Sequence, residues 1–155
     1  MKNLRNTSLL IVAIFFALQT VSAQQQKSYY FSKTVKGSFE EVTQRTKEEL
    51  KKQGFGVITE IDMDVKLKEK LTDVDLKPYK ILGACNPGFA YETLKADENI
   101  GLFLPCKILI KELGNNKVEV VMVDPSVLMG MLGNKELEKV AQQVTDKFKA
   151  ALKKI

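Results

Sequence analysis

From residue 134 to the last residue, one apolar stripe runs the length of a helix. Leu137, Val140, Ala141, Val144, Phe148, Ala151, Leu152 and Ile155 recur at helical spacing, with Lys and Gln opposite. A long helix with one apolar face must lay it on a broad apolar surface, and the chain offers that surface as strands. Residues 28–35 are β-rich. Residues 55–65 alternate, with Phe55, Val57, Thr59, Ile61, Met63 and Val65 on the face expected to meet the core. Residues 79–84 are short and uniformly apolar. Residues 106–113 and 117–123 flank Gly114-Asn115-Asn116, a turn signature that predicts a hairpin.

Helices fall between these strands. Ser38 with Glu41 three residues on forms a capping box, Phe39, Val42, Thr46 and Leu50 follow at helical spacing, and Gly54 sits where a left-handed terminator belongs. Leu67, Leu71 and Val74 suggest a short helix before Pro78. Asn86-Pro87 and Asp124-Pro125 each place a capping side chain before a proline suited to the first helical turn. The first opens a helix to about Ala96, with Phe89 (or Ala90) and Leu94 facing inward. The second opens a short turn through Leu128. Residues 100–104 are apolar and stop at Pro105, leaving open whether they join the sheet. The order β-α-β-(α)-β-α-β-β-α predicts an α+β two-layer sandwich: one mixed or antiparallel sheet of about five strands, with helices packed on a face.

The N-terminus reads as an export signal. Lys2 and Arg5 precede an apolar run over residues 9–18, and Val21-Ser22-Ala23 supplies the small residues of a cleavage site. A bilayer-spanning helix needs roughly 20 apolar residues, so the run is too short for an anchor. No Cys follows the cleavage point to carry a lipid. The expectation is a signal peptide over 1–23 and a single domain over 24–155, periplasmic or extracellular, with no membrane attachment after cleavage.

Several function classes are closed off. The chain has no His, which excludes a Ser-His-Asp triad, a Cys-His pair and any His-ligated metal. Glycine-rich phosphate loops are absent. The net charge of +5 falls to +3 without Lys2 and Arg5, and Arg45 is then the only Arg. Phosphate and base-edge recognition lean on Arg, so the basic pI reflects a solvated Lys/Glu surface and no nucleic acid is expected as a partner. The "KLKEKL" run is part of that solvated surface.

The remaining chemistry centres on Cys85 and Cys106. Cys85 directly precedes the Asn86-Pro87 helix opening, whose N–H groups and dipole could lower its pKa. An exported pair can equally form a Cys85–Cys106 disulfide, contributing roughly 3 kcal/mol for a loop of that length. Two inert packed thiols are the third reading. Asn86 and Asp124, each at a strand end beside a helix N-terminus, could share a ligand site, although capping alone accounts for both. Met122, Met129 and Met131 add soft sulfur that would suit a cuprous ion in a His-free protein, but no compact spacing supports it, and no cofactor or other metal is evident. Tyr29, Tyr30 and Phe31 read as cross-strand packing more simply than as a pocket wall.

The segment "YKILGACNPGFAYETLKADENIGLFLPCKILIKE", followed by "VMVDPSVLM", resembles the domain-of-unknown-function family numbered 302 through its G-A-C-N-P, I-G-L-x-L-P-C and D-P elements. The resemblance covers nearly everything from residue 28 onward. It implies a small bacterial α+β domain and a homodimer, and no particular activity. The reading that follows is a non-enzymatic module binding a small ligand or thiol-reactive species near Cys85, Asn86, Cys106 and Asp124. The alternatives are a thiol-dependent redox enzyme, with Cys85 attacking and Cys106 resolving, and a disulfide-braced domain that binds another protein.

Overall fold

A computed structural model describes residues 28–155, so the predicted signal peptide lies outside the described residues. Five strands, β1 (Tyr30–Lys36), β2 (Gly56–Asp62), β3 (Tyr79–Cys85), β4 (Cys106–Gly114) and β5 (Lys117–Val123), form one sheet. Its order is β1-β5-β4-β3-β2, antiparallel throughout. The helices are α1 (Phe39–Lys52), α2 (Met63–Lys68), α3 (Pro87–Ala96), α4 (Pro125–Gly130) and α5 (Lys135–Lys154). The α+β sandwich is as its sequence pattern predicts. Among the described residues no helix is long and apolar enough to cross a membrane.

Local chemistry sets the helix limits. Ser38 Oγ accepts from the Glu41 amide while the Glu41 carboxylate accepts from the Ser38 amide, completing the predicted box on α1. Gly54, at φ +86°, turns the chain out of that helix into β2. The stripe on α5 is buried as read, and with Val42 and Leu50 of α1 it covers Leu82, Ile108, Ile110, Val118, Val120 and Met122 on one face of the sheet. Each such side chain taken fully from water contributes about 1.5–3 kcal/mol. A second, smaller cluster joins Ile100, Met129, Leu137 and Ala141 under the end of α5.

Two expectations need correction, and one open point is decided. Residues 55–65 do not form one amphipathic strand. Phe55 and Val57 face the core, but a bulge between Val57 and Thr59 inserts Ile58 and inverts the alternation. Glu60 then points to the helix side, where Lys47 of α1 bonds it at 2.7 Å, and Ile61 turns to the opposite face, 40% exposed. The strand ends at Asp62, so Met63 and Val65 begin α2 a turn earlier than the spacing of Leu67, Leu71 and Val74 suggests. Leu94 of α3 faces solvent rather than the core. Residues 100–104 stay out of the sheet: Glu98–Phe103 is a 3₁₀ helix that buries Ile100 alone.

Candidate apolar thiol site

Two recognisable motifs meet at one end of the sheet. Ala84 of β3 lies directly opposite Cys106, the first residue of β4, so Cys85 is one step from the same register position. Gly83 has a packing reason to be glycine. A Cβ there would lie 2.5 Å from Pro105 Cγ and would collide with the Thr59 hydroxyl. The Leu104–Pro105 peptide is cis, and it carries the chain from the 3₁₀ helix into β4. The G-A-C and L-P-C elements are thus two sides of one close contact.

Beyond this contact lies a cavity in the seam between the two hydrophobic clusters. It is small, about 50 Å³, and partly open at its rim. Phe55, Phe89 and Val144 wall it from the main core, Ile100, Met129 and Ala141 from the second cluster, and Cys85 and Cys106 from the sheet end. Phe103 and Leu104 close one side, so the 3₁₀ segment is the thin wall between cavity and solvent. Asn86 and Thr93 are the polar residues on the rim.

Both cysteines are free thiols and neither is fully buried. Burial pushes the Cys106 thiol up to about 11, and the adjacent Cys85 adds to the rise, with Lys107 only partly offsetting it. Burial also raises Cys85 above the ordinary thiol value. This reverses the expected effect of the helix N-terminus. Asn86, not Cys85, occupies the cap, its Oδ1 accepts from the Phe89 amide, and Pro87 has no N–H to offer. The thiol lies one residue outside the cap, against the apolar wall.

The two predicted polar site residues are spent on structure. Asn86 also donates from Nδ2 to the Gly54 carbonyl at 2.8 Å, tying the end of α1 to the start of α3. Asp124, 9% exposed, caps α4, and its Oδ1 accepts from the Ser126 hydroxyl at 2.6 Å, the Ser126 amide at 3.1 Å and the Thr145 hydroxyl at 2.8 Å. Burial alone would raise its carboxyl. The Ser126 and Thr145 hydroxyls, the Ser126 amide and the Lys149 charge outweigh that and hold it below the usual carboxylate range. Asp124 does not line the cavity; its neighbour Pro125 does. The structure therefore brings Cys85, Cys106 and Asn86 together and leaves Asp124 apart.

Of the three methionines, Met129 reaches the cavity, Met122 is in the main core and Met131 is on the surface. Phe31 packs on the core, while Tyr29 and Tyr30 stay exposed and meet edge to face at 5.0 Å. Sequence reading missed the aromatic and aliphatic wall of Phe55, Phe89, Ile100 and Phe103. The inward facing read for Phe55 and Phe89 is the one signal that points to it.

The fold and these motifs agree with what is known of other chains. The sequence profile of the domain of unknown function DUF302 matches residues 31–155. The chain belongs to the DUF302 family. The crystal structure of an uncharacterised conserved DUF302 protein from Bacillus stearothermophilus superposes with a TM-score of 0.76 at 30% identity, covering 83% of this chain and 98% of that one. No curated protein matches the sequence. The DUF302 elements G-A-C-N-P and L-P-C are, in this chain, the floor and rim of the thiol cavity.

Proposed function

We propose that this DUF302 chain is a non-catalytic binding module for a small apolar or soft, thiol-seeking species, held in the seam cavity beside Cys85 and Cys106. One observation carries the reading: both thiols line a single cavity whose wall is otherwise almost wholly apolar. Such a space favours uncharged ligands of a few heavy atoms. Anything larger requires the 3₁₀ segment to swing out, and that segment already exposes Leu102 to 87%. Raised thiol values leave both sulfurs protonated near neutrality, which suits packing and soft contacts better than nucleophilic attack. A one-residue register offset also separates the two side chains across the β3–β4 pair, favouring two thiols over a bridge. Residues 1–23, read as an export signal, support a periplasmic or extracellular setting for this site.

Xenon, which enters dry apolar cavities, is the direct probe. Under xenon pressure, amide shifts are expected at Cys85, Phe89, Ile100 and Met129, and they vanish in Ala141→Leu, which fills the space. No shift in the unaltered chain, or shifts that survive the filling substitution, overturns the reading. Alkylation rates separate it from redox catalysis. Iodoacetamide should react with Cys85 more slowly than with an unperturbed thiol at pH 7, and the Cys106 rate should keep rising with pH towards about 11. A Cys85 faster than a free thiol would instead mark an attacking nucleophile.

A further inference from the structure

Three sulfur-bearing side chains line the seam cavity, each brought there by a different element. Cys85 ends β3, Cys106 begins β4, and the buried Met129 lies in α4. No compact spacing in the sequence joins them; the β3–β4 pairing and the packing of Met129 against Ile100, Leu137 and Ala141 do. A buried Met is most often an adaptable core residue. Met129 differs from Met122 and Met131 in sharing a cavity with both thiols.

The rest of the wall excludes most metals. No charged residue lines the cavity, and among the described residues no group of three or more His, Cys, Asp or Glu side chains is gathered where an ion could sit. Magnesium and calcium need oxygen ligands and retain water. A shell of about six waters, at about 30 Å³ each, would need roughly 180 Å³. The cavity has about 50 Å³, room for one ion stripped of its water. A structural zinc site takes four nitrogen or sulfur ligands, and this wall has fewer. Two thiols and a thioether are instead the soft donors that select a cuprous ion.

We infer that Cys85, Cys106 and Met129 form a three-sulfur site for one soft monovalent cation, Cu(I) or its heavier analogue Ag(I). The inference rests on the seam cavity being the binding site and names its ligand. Apolar walls make any net charge costly, so the bound assembly should be neutral. One thiolate neutralises one monovalent cation, and the other two sulfurs donate lone pairs without charge. On binding, one thiol gives its proton to water and one metal–thiolate bond forms; no electron is transferred. The register offset between the cysteines also suits an ion. A disulfide holds its sulfurs at about 2.05 Å, whereas two metal–sulfur bonds of about 2.3 Å bridge sulfurs up to about 4.6 Å apart.

Calorimetric titration of the whole reduced chain with Ag(I), in chloride-free buffer, tests this. The expected result is one ion per chain, with zinc unable to displace it. Met129→Leu keeps the wall apolar and removes the thioether; it should weaken binding by roughly tenfold or more, the scale that even groups merely supporting a metal ligand cost. Cys85→Ala and Cys106→Ala should each weaken it further. Cu(I), taken anaerobically from its bicinchoninate complex, should follow the same order. If a cysteine variant fails to fold, Met129→Leu and xenon still decide: silver should abolish the xenon shifts by occupying the same space. No silver uptake, displacement by equimolar zinc, more than one ion per chain, or binding that Met129→Leu leaves unchanged overturns the inference. Xenon shifts in a chain that takes up no silver would strike the ion site and leave the cavity reading standing, whereas loss of both strikes that reading as well.

Discussion

Two strand ends in this molecule use the same device and put it to different ends. After β3 and again after β5, a short polar residue caps a helix that opens with proline. At Asn86 the cap is a neutral amide that spends its second arm on the Gly54 carbonyl, stitching the α1–β2 turn to α3. At Asp124 the cap is a buried carboxylate wrapped by two hydroxyls and an amide, one of them from Thr145 in the middle of α5. The amide tolerates a half-open rim because either arm can fall back on water. The carboxylate stands only because its donors outweigh its desolvation. The cap beside the cavity is adaptable and the cap behind it is fixed, which leaves the thiol side of the seam as the part able to yield.

Replacing Asp124 with Ala should break the comparison most severely. It strands the Thr145 and Ser126 hydroxyls and frees α4 from α5, for an expected loss of about 3 kcal/mol in urea unfolding. Asn86→Ala should cost about 1–2 kcal/mol, a cap plus one bridge, with its effect concentrated in faster amide exchange around Gly54. The smallest effect is in acid. Asp124 holds its carboxyl below the unfolded value, so its stabilisation is complete above the unfolded pKa of about 3.9 and is lost as pH falls through the lower folded value. Stability between pH 5 and pH 2 should therefore fall less in Asp124→Asn than in the unaltered chain, whereas Asn86→Ala should parallel it. Parallel curves for all three would mean that the two caps do not differ in kind.

Much of this architecture is legible in the residues because it is local. Capping boxes, proline at a first turn, the hairpin glycine and the α5 stripe each act over a few residues, and each appears in the fold where the pattern puts it. The failures share a cause: they depend on a neighbour distant in sequence. Nothing within residues 55–65 announces that Glu60 will reach Lys47 or that Ile58 will bulge out, and the apolar residues 100–104 leave the choice between sheet and loop open until Ile100 finds Met129 and Leu137. The candidate site divides in the same way. Cys85, Cys106 and Asn86 stand out by type and do converge. Asp124 stands out by type and is consumed by Thr145, which carries no mark of its own. The cavity wall of Phe55, Phe89 and Phe103 is ordinary apolar sequence that only the tertiary seam makes into a space.

The bulge in β2 has a consequence beyond side-chain facing. A flat outer strand offers its free N–H and C=O groups as a template on which further chains can add without end. Here Ile58 interrupts the even ladder on that border and stands 62% exposed, so an incoming strand would meet a misfit before it had made a full run of bonds. Fibre growth along the β2 border is thereby discouraged at the cost of a single residue, in a chain whose central strands are as rich in Val, Ile and Leu as those of many aggregating peptides.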